Sequence, residues 1–156
     1  METRAEELKK LYNLTQHPEG GSFAEVYTSS FVTADRAYMG SIYFLLDKDE
    51  ISHFHQIDCD EIWYYHEGCG MKISVLKDGI KKEYMLGKDA EAGQRMMIVI
   101  EKDSIFAAEN LDKKQFTFVS CATTPAFRYE GFFLVYKEQI RRDYPNLFEE
   151  ISYLAY

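Results

Sequence analysis

Between residues 22 and 136 the chain is divided into short apolar or alternating runs, each closed by a turn signal, with no stretch of helical period long enough to carry a parallel crossover. Many short strands at close spacing predict an antiparallel sandwich or barrel rather than alternating βαβ units. The predicted strands cover 22–28, 37–46, 52–55, 61–66, 71–76, 81–86, 96–100, 104–108, 115–121 and 127–136. Lys77-Asp78-Gly79 is the clearest turn, an Asp-Gly pair suited to a tight hairpin with two residues of positive φ. The 12 tyrosines and 11 phenylalanines agree, since aromatic side chains fit pleated, half-buried surfaces.

Helices are predicted only at the two ends. Thr3 and Glu6 have the spacing of a capping box, and Leu8, Leu11, Tyr12 and Leu14 follow at helical spacing. His17-Pro18-Glu19-Gly20-Gly21 ends that pattern with one proline and two glycines. Near the other end, Pro145 suits a first helical position, and Leu147, Phe148, Ile151 and Leu154 form an apolar stripe. There is no internal repeat, low-complexity tract or linker, so residues 1–156 read as one mainly β domain with short helices flanking it.

Charge narrows the partners. The chain has 18 basic and 26 acidic residues, a formal charge of −8, with no basic cluster interleaved with aromatics. Binding to nucleic acid or to an anionic membrane is therefore disfavoured. No apolar run approaches the length of a bilayer span, and no leader of signal type is present. With 3 cysteines, an odd number, the expectation is a reduced, cytoplasmic protein.

The chemistry is concentrated in Ser52-His53-Phe54-His55 and the strand that begins at Glu61. In a regular strand alternate side chains share a face. His53 and His55 then point one way and Phe54 the other. Glu61, Trp63 and Tyr65 share one face of the next strand, and Ile62, Tyr64 and His66 the other. Two imidazoles and a carboxylate converging inside a barrel could hold one divalent ion, zinc, iron, nickel or manganese, and leave positions open for water or substrate. The same pair of histidines is also compatible with a solvated edge or a polar core pair.

His53-x-His55, Glu61 and Gly68 resemble the first motif of the cupin superfamily, with a slightly longer gap before Glu61. The wider chain is similar to a branch of small single-domain cupins described as domain of unknown function 985. The stretches that carry this are His17 to Glu25, Ile42 to Leu46, Ser52 to Trp63, Pro125-Ala126-Phe127 and Tyr144-Pro145. The resemblance implies a double-stranded β-helix, the jelly-roll barrel, with a small-molecule site inside it. It also implies a homodimer. The second motif of the superfamily usually ends in a histidine that completes a metal site; here the stretch is Glu101 to Phe106, and Phe106 stands where that ligand would be. The resemblance further assigns His17 and Glu19 to a loop at the barrel mouth that contributes to substrate binding.

Other pocket candidates come from the residues themselves. Phe23, Glu25 and Tyr27 share a strand face, which would bring a carboxylate and a phenol to the cavity for acid–base work or for a structural hydrogen bond. Trp63 could stack on a sugar or fill the interior. Met96 and Met97 read as core filler, and Cys59, Cys69 and Cys121 as spectators.

Three functions remain open on this reading. The first is an isomerase or epimerase acting on a sugar-like or other small polar metabolite, with His55 as base and Tyr27 or Glu61 as the returning acid, and with His17, Glu19, Glu25 and Trp63 in the binding site. The second is a metal-dependent oxygenase or lyase built on His53, His55 and Glu61. The third is a binding module without turnover.

Overall fold

The computed structural model describes residues 1–156. Helix α1 (Arg4–Leu11) opens the chain. Thr3 and Glu6 cap it reciprocally, as their spacing predicted. The strands follow in order: β1 (Thr15–Gln16), β2 (Ser22–Thr28), β3 (Val32–Thr33), β4 (Arg36–Ala37), β5 (Gly40–Asp47), β6 (Ile51–Ile57), β7 (Asp60–Gly68), β8 (Met71–Lys77), β9 (Ile80–Leu86), β10 (Met97–Ile100), β11 (Ile105–Asn110), β12 (Phe116–Thr124) and β13 (Phe132–Leu134). Helices α2 (Lys137–Asp143) and α3 (Phe148–Ile151) close it, joined by a 3₁₀ turn that starts at Pro145.

Two sheets face each other. One has six strands in the order β1-β2-β5-β12-β7-β10, the other five in the order β13-β6-β11-β8-β9, and each ladder is antiparallel. β3 and β4 form a separate small hairpin that leaves Phe31, Val32 and Tyr38 in solvent. The arrangement is the jelly-roll barrel implied by the family resemblance.

Alternation explains the core. In β7, Glu61, Trp63 and Tyr65 are buried while Tyr64 and His66 are exposed, as predicted. Trp63 joins Phe44, Met71, Ile73, Leu86, Phe106 and Val119 between the sheets. A second cluster lies outside the five-stranded sheet, where Ile140, Ile151 and Leu154 cover Phe54 and Leu76. On the other sheet, Ala5 and Leu8 of α1 cover Leu45 and Phe118. The Asp-Gly turn has both residues at positive φ, 51° at Asp78 and 75° at Gly79.

Two elements depart from the sequence expectation. The strand predicted over 127–136 contracts to β13, because the segment before it is drawn into a polar cluster. Asp58 there receives Arg36 Nη2 at 2.7 Å and Arg128 Nη2 at 3.1 Å, while Arg36 Nε donates to the Ala126 carbonyl at 2.7 Å. Helix α2 was not expected, since Ile140 is its only buried residue and one apolar position makes no period. Met96 and Met97, expected in the core, are exposed beside the outer edge of β10.

One irregularity positions the site. β6 pairs with β11 through His55↔Phe106 but through Ser52↔Ala108, so His53 and Phe54 together oppose Ala107. This β-bulge adds one residue to β6 and reverses the alternation across it. Ser52 therefore turns inward with His55, while His53 and Phe54 both turn out towards the segment that follows β13.

Candidate functional site

A cavity of about 240 Å³ opens between the sheets at one end of the barrel. Its walls come from both sheets: Phe23, Glu25 and Tyr27 of β2, Ile42 of β5, His55 and Ile57 of β6, Glu61 of β7, and Cys121 and Thr123 of β12. The loop carrying His17 and Glu19 completes it.

That loop is fixed by its own backbone. His17 N–H donates to the Gly21 carbonyl at 2.9 Å, and Gly20 N–H to the His17 carbonyl at 3.0 Å. Gly20 has φ of +107°, and a Cβ there would fall 2.0 Å from the Ile51 carbonyl oxygen, so only glycine lets the loop lie on β6. The Glu19 carbonyl accepts from His53 N–H at 2.8 Å and lies 3.0 Å from His53 Nδ1. Tyr156 stacks on the His53 ring at 4.4 Å between centroids and donates its hydroxyl to the Pro18 carbonyl.

Glu19 is buried at the centre of a polar network. Its Oε1 accepts from Ser52 Oγ at 2.9 Å, and its Oε2 lies 3.0 Å from His55 Nε2. The other nitrogen of His55, Nδ1, faces the His53 carbonyl at 2.7 Å and must donate to it. Both imidazole nitrogens thus face acceptors, the pattern of an imidazolium paired with a carboxylate. Burial opposes charge on both groups, yet their mutual attraction wins: His55 is held above its ordinary range and Glu19 below its own.

His17 is in a different state. Its Nδ1 accepts the Glu19 backbone N–H at 3.2 Å, while the Glu19 carboxylate stands off at 3.6 Å. The proton is therefore on Nε2, which no protein group accepts. Burial pushes this imidazole below its ordinary range, so it stays neutral, edge-on to Phe23 at 4.5 Å.

Glu61 is the other buried carboxyl of the cavity, 7% exposed. Burial first, and then the charge of Glu19, raise it from 4.5 to about 7; the charge of His55, and after it hydrogen bonding by the neighbouring Cys121 and Trp63, pull it part of the way back. It makes no ion pair and faces the cavity. The Cys59 thiol, pushed up to about 12 by burial, and Cys121, also raised by burial, stay protonated.

The residues nominated from sequence divide accordingly. His17, Glu19, Glu25, Tyr27, His55 and Glu61 meet around one cavity, with Glu25 and the half-exposed Tyr27 at its mouth. His53 does not reach it, because the bulge turns it outward. Trp63 does not line the wall either; it lies beneath it, 1% exposed, edge-on to Phe44 and Phe106. The sequence reading missed Ser52, whose role needs the bulge, and Phe127 as apolar wall; Phe23 lines the cavity on the same face of β2 as Glu25 and Tyr27.

A metal at His53, His55 and Glu61 does not fit this geometry. His53 is outside the cavity, both nitrogens of His55 already face protein acceptors, and Phe106 packs against the His55 ring at 4.2 Å. No three histidine, cysteine, aspartate or glutamate side chains are disposed to hold an ion.

Residues 6–135 match the profile of a family described as cupin superfamily, DUF985. A protein of Shewanella oneidensis of known structure is 33% identical over 100% of this chain and 99% of its own, with a TM-score of 0.92. A hypothetical protein from Leishmania major is 28% identical over 99% of both chains, with a TM-score of 0.91. Oxalate decarboxylase from Bacillus subtilis is 16% identical, and the match covers 89% of this chain and 36% of that one with a TM-score of 0.59, a likeness of fold alone. No curated protein sequence matches. No helix is long and apolar enough to cross a membrane.

Proposed function

The chain belongs to the DUF985 family of the cupin superfamily, and from its cavity we propose that it is an isomerase acting by proton transfer on a small, polar, sugar-like molecule. The observation that carries this reading is Glu61: a buried carboxyl that lines the cavity without an ion pair, and that burial raises to about 7. A proton-transfer group works best when its pKa lies near the operating pH.

The division of labour follows from which atoms are free. His55 was the base expected from sequence, but both of its nitrogens are engaged, so that role passes to Glu61. As carboxylate, Glu61 takes the proton from the carbon next to a carbonyl. His17 Nε2–H donates to the carbonyl oxygen, where negative charge develops, and a neutral imidazole is a suitable electrophile for that purpose. Glu61 then returns the proton to the adjacent carbon, and the hydroxyl proton moves between the two oxygens at His17. The Glu19–His55–Ser52 network holds His17 in the required tautomer through the Glu19 backbone N–H.

A single free base favours this 1,2-shift over epimerisation, which needs an acid on the opposite face of the carbon. Tyr27 at the mouth is the group that would serve for an epimerase. A metal-dependent oxygenase or lyase has no support in the donor geometry. The same proposal includes a homodimer, since Phe31, Val32 and Tyr38 are exposed together on the β3–β4 hairpin; light scattering after size exclusion reads this directly.

The test is proton exchange. Aldoses, ketoses and amino sugars are incubated with the protein in D₂O and followed by NMR. Deuterium should enter the carbon beside the carbonyl of at least one compound, and Glu61→Gln should abolish that exchange while binding persists. Binding without exchange by the unmodified protein would mark a module that only binds its ligand.

A further inference from the structure

The ionisable groups on the cavity wall are three carboxyls, Glu19, Glu25 and Glu61, and two imidazoles, His17 and His55; no lysine or arginine side chain lines the cavity. The guanidiniums nearest the mouth, Arg36 and Arg128, both lie on Asp58, and Arg36 is further tied to the Ala126 carbonyl. The imidazolium of His55 is matched by Glu19. Glu61 inside and Glu25 at the mouth have no basic partner. Phe23, Tyr27 and Phe127 stand beside them with ring faces and edges available to a ligand.

An anionic group entering here would lose water and gain no counter-charge, with Glu25 and Glu61 opposing it. A hydroxyl would meet acceptors at Glu61 and Thr123 and a donor at His17. An ammonium would meet Glu25 and aromatic rings, both of which favour cations. Size acts in the same direction. About 240 Å³ lies below the common range of about 300–1,000 Å³ for drug-sized ligands, so a single sugar ring fills the cavity.

We propose that the ligand of this cavity is an uncharged or amine-bearing molecule of monosaccharide size, and that phosphorylated and nucleotide-linked sugars are excluded. The proposal rests on the reading of this cavity as the substrate site, and narrows it to a substrate class.

Three nitroxides of one frame and different charge test it without knowledge of the natural ligand: 4-hydroxy-, 4-trimethylammonium- and 4-carboxy-TEMPO. Paramagnetic relaxation is measured on labelled isoleucine methyls, with Ile42 and Ile57 in the cavity and the exposed Ile80 as reference. Ile80 lies beside Lys77 and Lys82, so the comparison with Glu25→Gln/Glu61→Gln, which leaves that surface unchanged, removes the effect of charge outside the cavity. The cavity ratio should be at least threefold lower for the carboxylate than for the neutral probe, and highest for the ammonium. Glu25→Gln/Glu61→Gln should compress the order. A carboxylate ratio equal to or above the neutral one overturns the charge assignment while leaving the site in place. If all three probes reach Ile80 and none relaxes Ile42 or Ile57, the cavity is closed to ligands, and the site reading falls together with the proposal.

Discussion

Replacing Glu61 with glutamine should stabilise the protein, and by an amount that depends on pH. The carboxyl is raised from 4.5 to about 7 by burial and by Glu19. In the unfolded chain it ionises near 4.5; in the folded one the neutral form persists to about 7. Its contribution to stability is therefore intact below 4.5 and is lost as pH rises through 7. The distance between the two values, at about 1.4 kcal/mol per pH unit, makes the full loss about 3–4 kcal/mol. Glutamine has the shape of the protonated acid and never ionises, so the variant escapes the penalty. Urea unfolding of both proteins at pH 4 and pH 8.5 reads the difference. It should be close to zero at pH 4 and about 3–4 kcal/mol in favour of glutamine at pH 8.5, with unchanged m-values. A difference that is the same at both pH values would refute the reasoning, because it would mean that Glu61 ionises alike in the folded and unfolded states. The gain in stability should accompany the loss of proton exchange, as expected where a catalytic group is held against its own solvation.

Three further outcomes follow. Glu19→Ala leaves the His55 imidazole and the Ser52 hydroxyl buried without their partner and should cost about 3–5 kcal/mol in urea unfolding; a loss under about 1 kcal/mol would show that the network is not a coupled unit. Nitrogen-15 NMR at pH 7 should find both nitrogens of His55 protonated and His17 neutral with its proton on Nε2; His55 should lose its charge only at a pH above the ordinary histidine range, and with it a contribution to stability that is complete below 6.5. His53→Phe keeps the stack on Tyr156 and gives up the hydrogen bond to the Glu19 carbonyl, for about 1 kcal/mol of stability and a change in activity of less than about threefold; complete loss of activity would return His53 to the cavity wall.

Much of this was legible in the sequence because period-two alternation is a local signal. That Glu61, Trp63 and Tyr65 lie on one face and Tyr64 and His66 on the other could be read from parity, and the Asp78-Gly79 hairpin from turn chemistry. The loop with His17 and Glu19 was placed by family resemblance rather than by any period. What failed did so for identifiable reasons. His53 was placed beside His55 because parity assumes an unbroken ladder, and a bulge is set by the pairing with β11, a strand some fifty residues away. Trp63 faces inward as expected, but facing inward does not say whether a side chain reaches the cavity or lies under it. The role of Ser52 and the double engagement of His55 depend on contacts with the loop around Glu19, which no spacing within β6 encodes.

The bulge in β6 also has an evolutionary meaning. From Ser52 backward and from His55 onward the strand runs in opposite phases, and the two phases join at His53 and Phe54. One residue added to β11 opposite them would absorb the bulge, return His53 to the face of His55 and turn Ser52 away. The barrel would then present two adjacent imidazoles to its interior, the beginning of a metal-binding wall, and would lose the hydroxyl that holds Glu19. The face that His53 and Ser52 present is thus set by a strand that contributes no residue to the cavity wall, and that strand is held in turn by its unbroken ladder with β8.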